Sequence, residues 1–238
     1  MDYARFLPEH HLDVKREGRV VVVTLTRPES RNAVDHAMPV AAPAATGGLA
    51  IAWNHIQLEI LDRLGEEGLT IARQLAMTTY RSEADFGSRF GRSVQADGRF
   101  AVNSYLDHQG GKLKDRFDAE TYRVLVRVMD GHDVGRGRGG IVEAFRALAM
   151  ADAGLTGLGI RGDILYGPVQ VRALVADATE AGVDATYREL ESVKGHDAFL
   201  TEWDQLGAAL ADALADGVAR AARRGIHSVP VRSGAGAA

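Results

Sequence analysis

The 238-residue chain contains no cysteine. Disulfides, thiolate zinc sites and a cysteine nucleophile are excluded together. Positive charge is not in excess either: the formal net charge is −4 and the pI near 6.1. No block of Lys and Arg interleaves with aromatics, so there is no basic field for a nucleic-acid backbone. Long apolar runs are missing as well. The opening "MDYARFLPEHHLDVKREGR" has no apolar signal core, and nothing approaches the roughly 18 apolar residues of a membrane span. The expectation is a soluble, cytoplasmic protein with neither nucleic acid nor membrane as a partner. One more absence concerns chemistry. None of Ser30, Ser82, Ser88, Ser93, Ser104, Ser192, Ser228 and Ser233 sits in a G-x-S-x-G elbow, the strand-to-helix turn that exposes a serine nucleophile. The nearest string, "GSRFG" around Ser88, is out of register.

What is present is enough for a core. Hydrophobic residues make up 46% of the chain and its charges are mixed, which suits one domain, or one domain plus an appendage. The β-branched run "RVVVVTLT", residues 19 to 26, reads as a strand, and "RPESRNAVDHAM" after it as a short helical stretch. The small, Pro/Gly-rich "PVAAPAATGGLA", residues 39 to 50, reads as a junction. From Trp53 to about Met150 the pattern is helical. "IAWNHIQLEILDRL" spaces Trp53, Ile56, Ile60, Leu61 and Leu64 on one face. "EEGLTIARQLAMTTY" does the same with Leu69, Ala72, Leu75, Ala76 and Tyr80. In "RFDAETYRVLVRVMD" Asp118 is placed to cap a helix whose first turn holds Glu120.

The last third alternates. "LTGLGI" reads as a buried strand, and "YGPVQVRALVADATEAG" as a helix with Pro168 in its first turn and Gly182 as its stop. "DATYREL" is a second strand and "DQLGAALADALADGVARAARR" a second helix. Strand, helix, strand, helix implies a parallel α/β sheet, and "GIHSVPVRSGAGAA" a frayed tail. In such sheets functional residues sit beyond the carboxyl ends of the strands. Asp163, in "GIRGDILYGP", follows the first strand; His196, in "VKGHDAFL", follows the second. The two can form an Asp–His pair in which the carboxylate fixes the imidazole tautomer; the competing reading is two loop residues with ordinary hydrogen bonds. "GRGRGG" at 135 to 140 fits G-x-G-x-x-G through Gly135, Gly137 and Gly140. A dinucleotide site needs a strand before it, and a helix precedes it here, so it reads as a loop. "EHH" at 9 to 11 has no third ligand at helical spacing, and no metal is expected.

Six blocks carry a resemblance: "AIAWNHIQLEILDRL", "GLTIARQLAMTTYRSEADFGSRFGR", "FAVNSYLDHQGGKLKDRFDAETYRVL", "HDVGRGRGG", "GDILYGPVQVRALV" and "ESVKGHDAFLTEWDQLG". In this order they resemble the C-terminal half of homoserine O-acetyltransferases, acyltransferases of the α/β-hydrolase fold, from about residue 39 to Leu214. The resemblance implies a partial α/β-hydrolase fold: a helical lid over about 51 to 150 and a C-terminal α/β part over about 151 to 224. Residues 1 to 38 would be a β-rich appendage and 225 to 238 a flexible tail. It implies a ping-pong transfer from acetyl-CoA, a co-substrate rather than a bound cofactor, to L-homoserine on the route to methionine. Asp163 matches the triad acid and His196 the general base. Arg73, Tyr80 and Asp197 match residues of the substrate site. A zwitterionic amino acid needs a cation for its carboxylate and an anion for its ammonium.

The sequence also departs from that family, whose front strands, oxyanion donors and serine elbow precede the "PVAAPAATGG" region. In their place residues 12 to 37 resemble the start of enoyl-CoA hydratases of the crotonase family, without that family's oxyanion loop or catalytic glutamates. The expectation is a truncated or chimeric acyltransferase lacking its nucleophile. Two alternatives stand beside it. One is a non-catalytic oligomerising or binding module, a homodimer through the helical lid; the other is a hydratase-related fusion.

Overall fold

The computed structural model describes residues 12–17, 20–25, 43–150 and 153–223. The chain divides into two compact units, one of residues 1–38 with 218–238 and one of residues 39–217. In the first, β1 (Leu12–Glu17) and β2 (Val20–Leu25) form an antiparallel hairpin, Leu12 opposite Leu25 and Glu17 opposite Val20. β2 is the β-branched run read as a strand. The helical stretch expected at "RPESRNAVDHAM", the "EHH" string and the tail beyond 224 lie outside the described residues.

The second unit begins with helices α1 (Gly48–Leu64), α2 (Gly68–Tyr80), α3 (Glu83–Arg89), α4 (Ala101–Lys114), α5 (Ala119–Asp130) and α6 (Ile141–Met150). Their core gathers Leu61, Leu69, Ala72, Leu113, Ala119, Tyr122 and Val126. Helix α2 buries the stripe its periodicity announces, with Leu69, Ala72 and Ala76 inside. Asp118 caps α5, accepting the Thr121 N–H at 2.7 Å.

Helix α1 differs from its sequence reading. Of the expected face only Leu61 is buried; Ile56 and Leu64 are each 47% exposed. The buried stripe is Ala50, Asn54, Gln57 and Leu61. Apolar residues lie all around this helix, so two stripes share Leu61. The choice between them is made by hydrogen bonds that α5 offers to Asn54 and Gln57, which lets these polar groups go inside.

The rest of the unit is α/β. Strand β3 (Gly154–Ile160) pairs in parallel with β4 (Asp184–Leu190), Gly154 beside Asp184 through Ile160 beside Leu190. Helix α7 (Pro168–Glu180) connects them, with Pro168 at its start as expected. Helix α8 (Trp203–Arg223) follows β4. Ile160, Leu190 and Ala198 are packed with Leu158, Phe199 and Leu206; Phe145 of α6 is packed with Ala178 and Val183. Among the described residues β3 has β4 as its one strand neighbour, and no helix is long and apolar enough to cross a membrane.

Candidate active site

Because β3 and β4 are adjacent and parallel, the segments leaving their carboxyl ends are brought side by side. The Arg161 N–H bonds the Leu190 carbonyl at 2.9 Å, extending the ladder one step past the strand. Asp163 comes next on one segment. His196 lies on the other, in a 3-10 turn over Gly195–Leu200.

The two side chains meet: His196 Nδ1 lies 2.8 Å from Asp163 Oδ2, with Asp163 buried and His196 partly buried. Asp163 Oδ1 accepts the N–H groups of Leu165 at 2.8 Å and Tyr166 at 3.0 Å, so the carboxylate is fixed by its own turn. A carboxylate only accepts, so Nδ1 carries the proton of this bond, and in the neutral ring that leaves the lone pair on Nε2. Among the described residues nothing hydrogen-bonds Nε2. The ring sits among Tyr166 and Phe199, each edge-on at 5.4 Å between centroids, and Tyr80 at 6.0 Å.

The remaining sequence-derived candidates gather at the same place. Arg73 is buried on α2, one helical stretch before Tyr80, with its guanidinium 5.3 Å from the Tyr80 ring centroid. Burial raises the Tyr80 hydroxyl above the usual phenol range, against the lowering charge of Arg73. Burial also raises the Asp197 carboxyl, opposed by Arg81, His196 and Arg73 in that order. Burial pushes Tyr166 up to about 12.

Sequence reasoning missed four neighbours: Arg81, Ser82, Tyr166 and Phe199. Arg81 Nε stands 2.9 Å from Asp197 Oδ2, close enough for an ion pair although its N–H is not aligned for a hydrogen bond. Arg81 also reaches Asp85 at 3.5 Å, and Arg89 reaches Asp85 at 3.4 Å. A signal for this corner does exist. Ser82-x-x-Asp85 has the spacing of a helix-capping box, which starts a new helix just after Tyr80 and leaves Arg81 between the two.

"GRGRGG" occupies turns between α5 and α6, so a helix and not a strand precedes it. No cluster of three or more metal-ligating His, Asp or Glu side chains occurs among the described residues.

An acid after one parallel strand and a histidine after the next, bonded to each other, is the arrangement of an α/β-hydrolase fold, present here in part. The structure of esterase E22 shares the fold, with a TM-score of 0.63 at 15% identity over 72% of this chain and 52% of that one. A scan against protein-family models finds no match. Sequence comparison is more specific. The chain is 37% identical over 195 residues to a homoserine O-acetyltransferase of Moorella thermoacetica, covering 74% of this chain and 51% of that protein. It is 41% identical over 197 residues to one of Thermobifida fusca, covering 74% and 50%. A solved homoserine O-acetyltransferase from Staphylococcus aureus superposes with a TM-score of 0.54 at 33% identity, over 69% of this chain and 46% of that one. Over the matched region the chain belongs to the homoserine O-acetyltransferase family. It spans about half the length of the curated relatives it matches.

Proposed function

We propose that residues 39–217 are the acid–base and amino-acid-recognising part of an acyltransferase that moves an acetyl group from acetyl-CoA to the hydroxyl of L-homoserine. The observation carrying this reading is the convergence of Arg73, Tyr80 and Asp197 on an Asp163–His196 pair. His196 Nε2 takes a hydroxyl proton; Asp163 holds Nδ1–H and offsets the imidazolium charge as it forms. Arg73 receives the amino-acid carboxylate as a planar donor, and Tyr80 lines the site. Asp197 receives the ammonium, which shares the carboxylate with Arg81. A bound ammonium would offset the burial cost that raises the Asp197 carboxyl.

The sequence holds no G-x-S-x-G elbow, so the acyl-enzyme step needs a serine that this chain does not present in that form. We assign 51 to 150 to the lid and place the protein in the cytoplasm, where its small-molecule substrates are. For residues 12 to 37 the reading remains a likeness to enoyl-CoA hydratases, carried by the β2 run.

Two measurements on the purified chain test the reading. In calorimetry, L-homoserine binds the parent, and Arg73→Met weakens it at least about tenfold, as loss of a charge-assisted contact requires. Equal binding by both proteins refutes the recognition role. In an acetyl-CoA assay the chain forms no O-acetylhomoserine; product above a His196→Ala control would show that a nucleophile is present after all.

A further inference from the structure

Ser82 sits where α2 has ended and α3 begins, in extended backbone, and is 7% exposed. Its Oγ makes two bonds of different kind. It accepts the Asp85 N–H at 3.1 Å, which caps α3, and it donates to the carbonyl of Val193. A cap needs only an acceptor. The hydroxyl has a single proton, and that proton is committed to the segment that delivers His196, three residues on from Val193.

Both segments that carry the pair touch this corner. Gly195, next to His196, has φ +67, and a Cβ there would lie 2.7 Å from the Ser82 nitrogen. Only a residue without a side chain lets that turn close on α3. Gly162, next to Asp163, has φ +82, and a Cβ there would lie 3.5 Å from the Ser82 Cβ and 3.6 Å from the Ser192 carbonyl oxygen. The loops after β3 and β4 therefore meet over one serine from the helical region.

We propose that Ser82 is a positioning residue: by donating to Val193 it sets the separation of His196 from Asp163. The proposal rests on reading those two residues as the acid–base pair. It assigns to the hydroxyl proton a function that the helix cap does not use.

The test is nitrogen-15 NMR of the His196 imidazole in the full chain, at a pH where the ring is neutral. Amide exchange serves as the check that each variant folds. The parent holds the Nδ1–H tautomer in about tenfold or greater excess, as a charge-assisted hydrogen bond supports. Asp163→Asn sets the level without the carboxylate. Ser82→Ala drops the excess toward that level, and Ser82→Thr, which keeps the hydroxyl, restores it. Ser82→Asp still caps α3 but cannot donate to Val193, so it behaves as Ser82→Ala does while α3 stays protected. Parent-like tautomer excess in either Ser82→Ala or Ser82→Asp overturns the proposal, the second by reducing Ser82 to a cap. If the parent itself matches Asp163→Asn, the acid–base reading of the pair falls, a failure distinct from the other two.

Discussion

Two buried polar networks lie in the same 39–217 unit, and they end differently. In the helical region Asn54 donates to Asp130 at 2.7 Å, Gln57 donates to Asn54 at 3.2 Å, and the Tyr122 hydroxyl donates to Gln57 Oε1. Each group is consumed by the next, and burial drives the Tyr122 hydroxyl far upward. At the carboxyl ends of β3 and β4 the network runs through Asp163 to His196 and stops at an imidazole nitrogen that nothing among the described residues hydrogen-bonds. Burial of polar side chains therefore does not mark a site; an open valence at the end of the chain of bonds does. The apolar surroundings differ too. Leu61 and Leu69 are fully buried, whereas Val193 and Trp203 beside the His196 turn are 59% and 65% exposed.

If the helical network is structural and the other chemical, the strongest blow to stability falls far from the histidine. Leu61→Ala empties a fully buried position in the helical core and is expected to cost about 2 to 5 kcal/mol, read as a lowered midpoint in urea. The Asp163–His196 bond persists in the fraction that stays folded. A cost below about 1 kcal/mol would mean that the helices around Leu61 are loosely packed, and the contrast would lose its first term. Asp118→Ala comes next. It removes the cap from α5, the helix that supplies Tyr122 and Asp130, and is expected to cost about 1 kcal/mol. Hydrogen exchange should show that loss at the start of α5 and leave the amides of β3 and β4 protected.

How far the sequence foretold each region follows from the same contrast. The α/β end was legible because its signals are local. Pro168 opens α7, the two strand runs have the right length, and the parallel pairing then forces Asp163 and His196 together. Helix α1 was misread because period alone cannot choose between two stripes that share Leu61. The choice was made by Asp130 and Tyr122, 65 or more residues away in sequence. The Arg81–Ser82 corner was missed for another reason. The helical string "EEGLTIARQLAMTTY" stops at Tyr80, one residue short of this corner, and Arg81 has a role only once Asp197 is folded against it.

The smallest expected effect tests the open network most directly. Burial raises the Asp197 carboxyl above its ordinary value of 3.8, so the folded chain holds that proton more tightly than the unfolded chain does. The contribution to stability is then fully present below 3.8 and is lost as pH rises through the folded value. Asp118, Glu189 and Glu202 are lowered, chiefly by hydrogen bonds from Thr121, Tyr187 and Ser192. Their contributions run the opposite way, appearing above the ordinary carboxylate value and fading as pH falls. The parent's own profile mixes both signs, so the quantity to measure is its stability minus that of Asp197→Asn, by urea denaturation at successive pH values. That difference should fall with rising pH, starting near 3.8, and level off above the raised value. A difference that stays flat would mean that Arg81 offsets the burial of Asp197 as fully as Tyr122 satisfies Gln57. The two networks would then be of one kind, and Asp197 would have no unmet charge to offer an ammonium group.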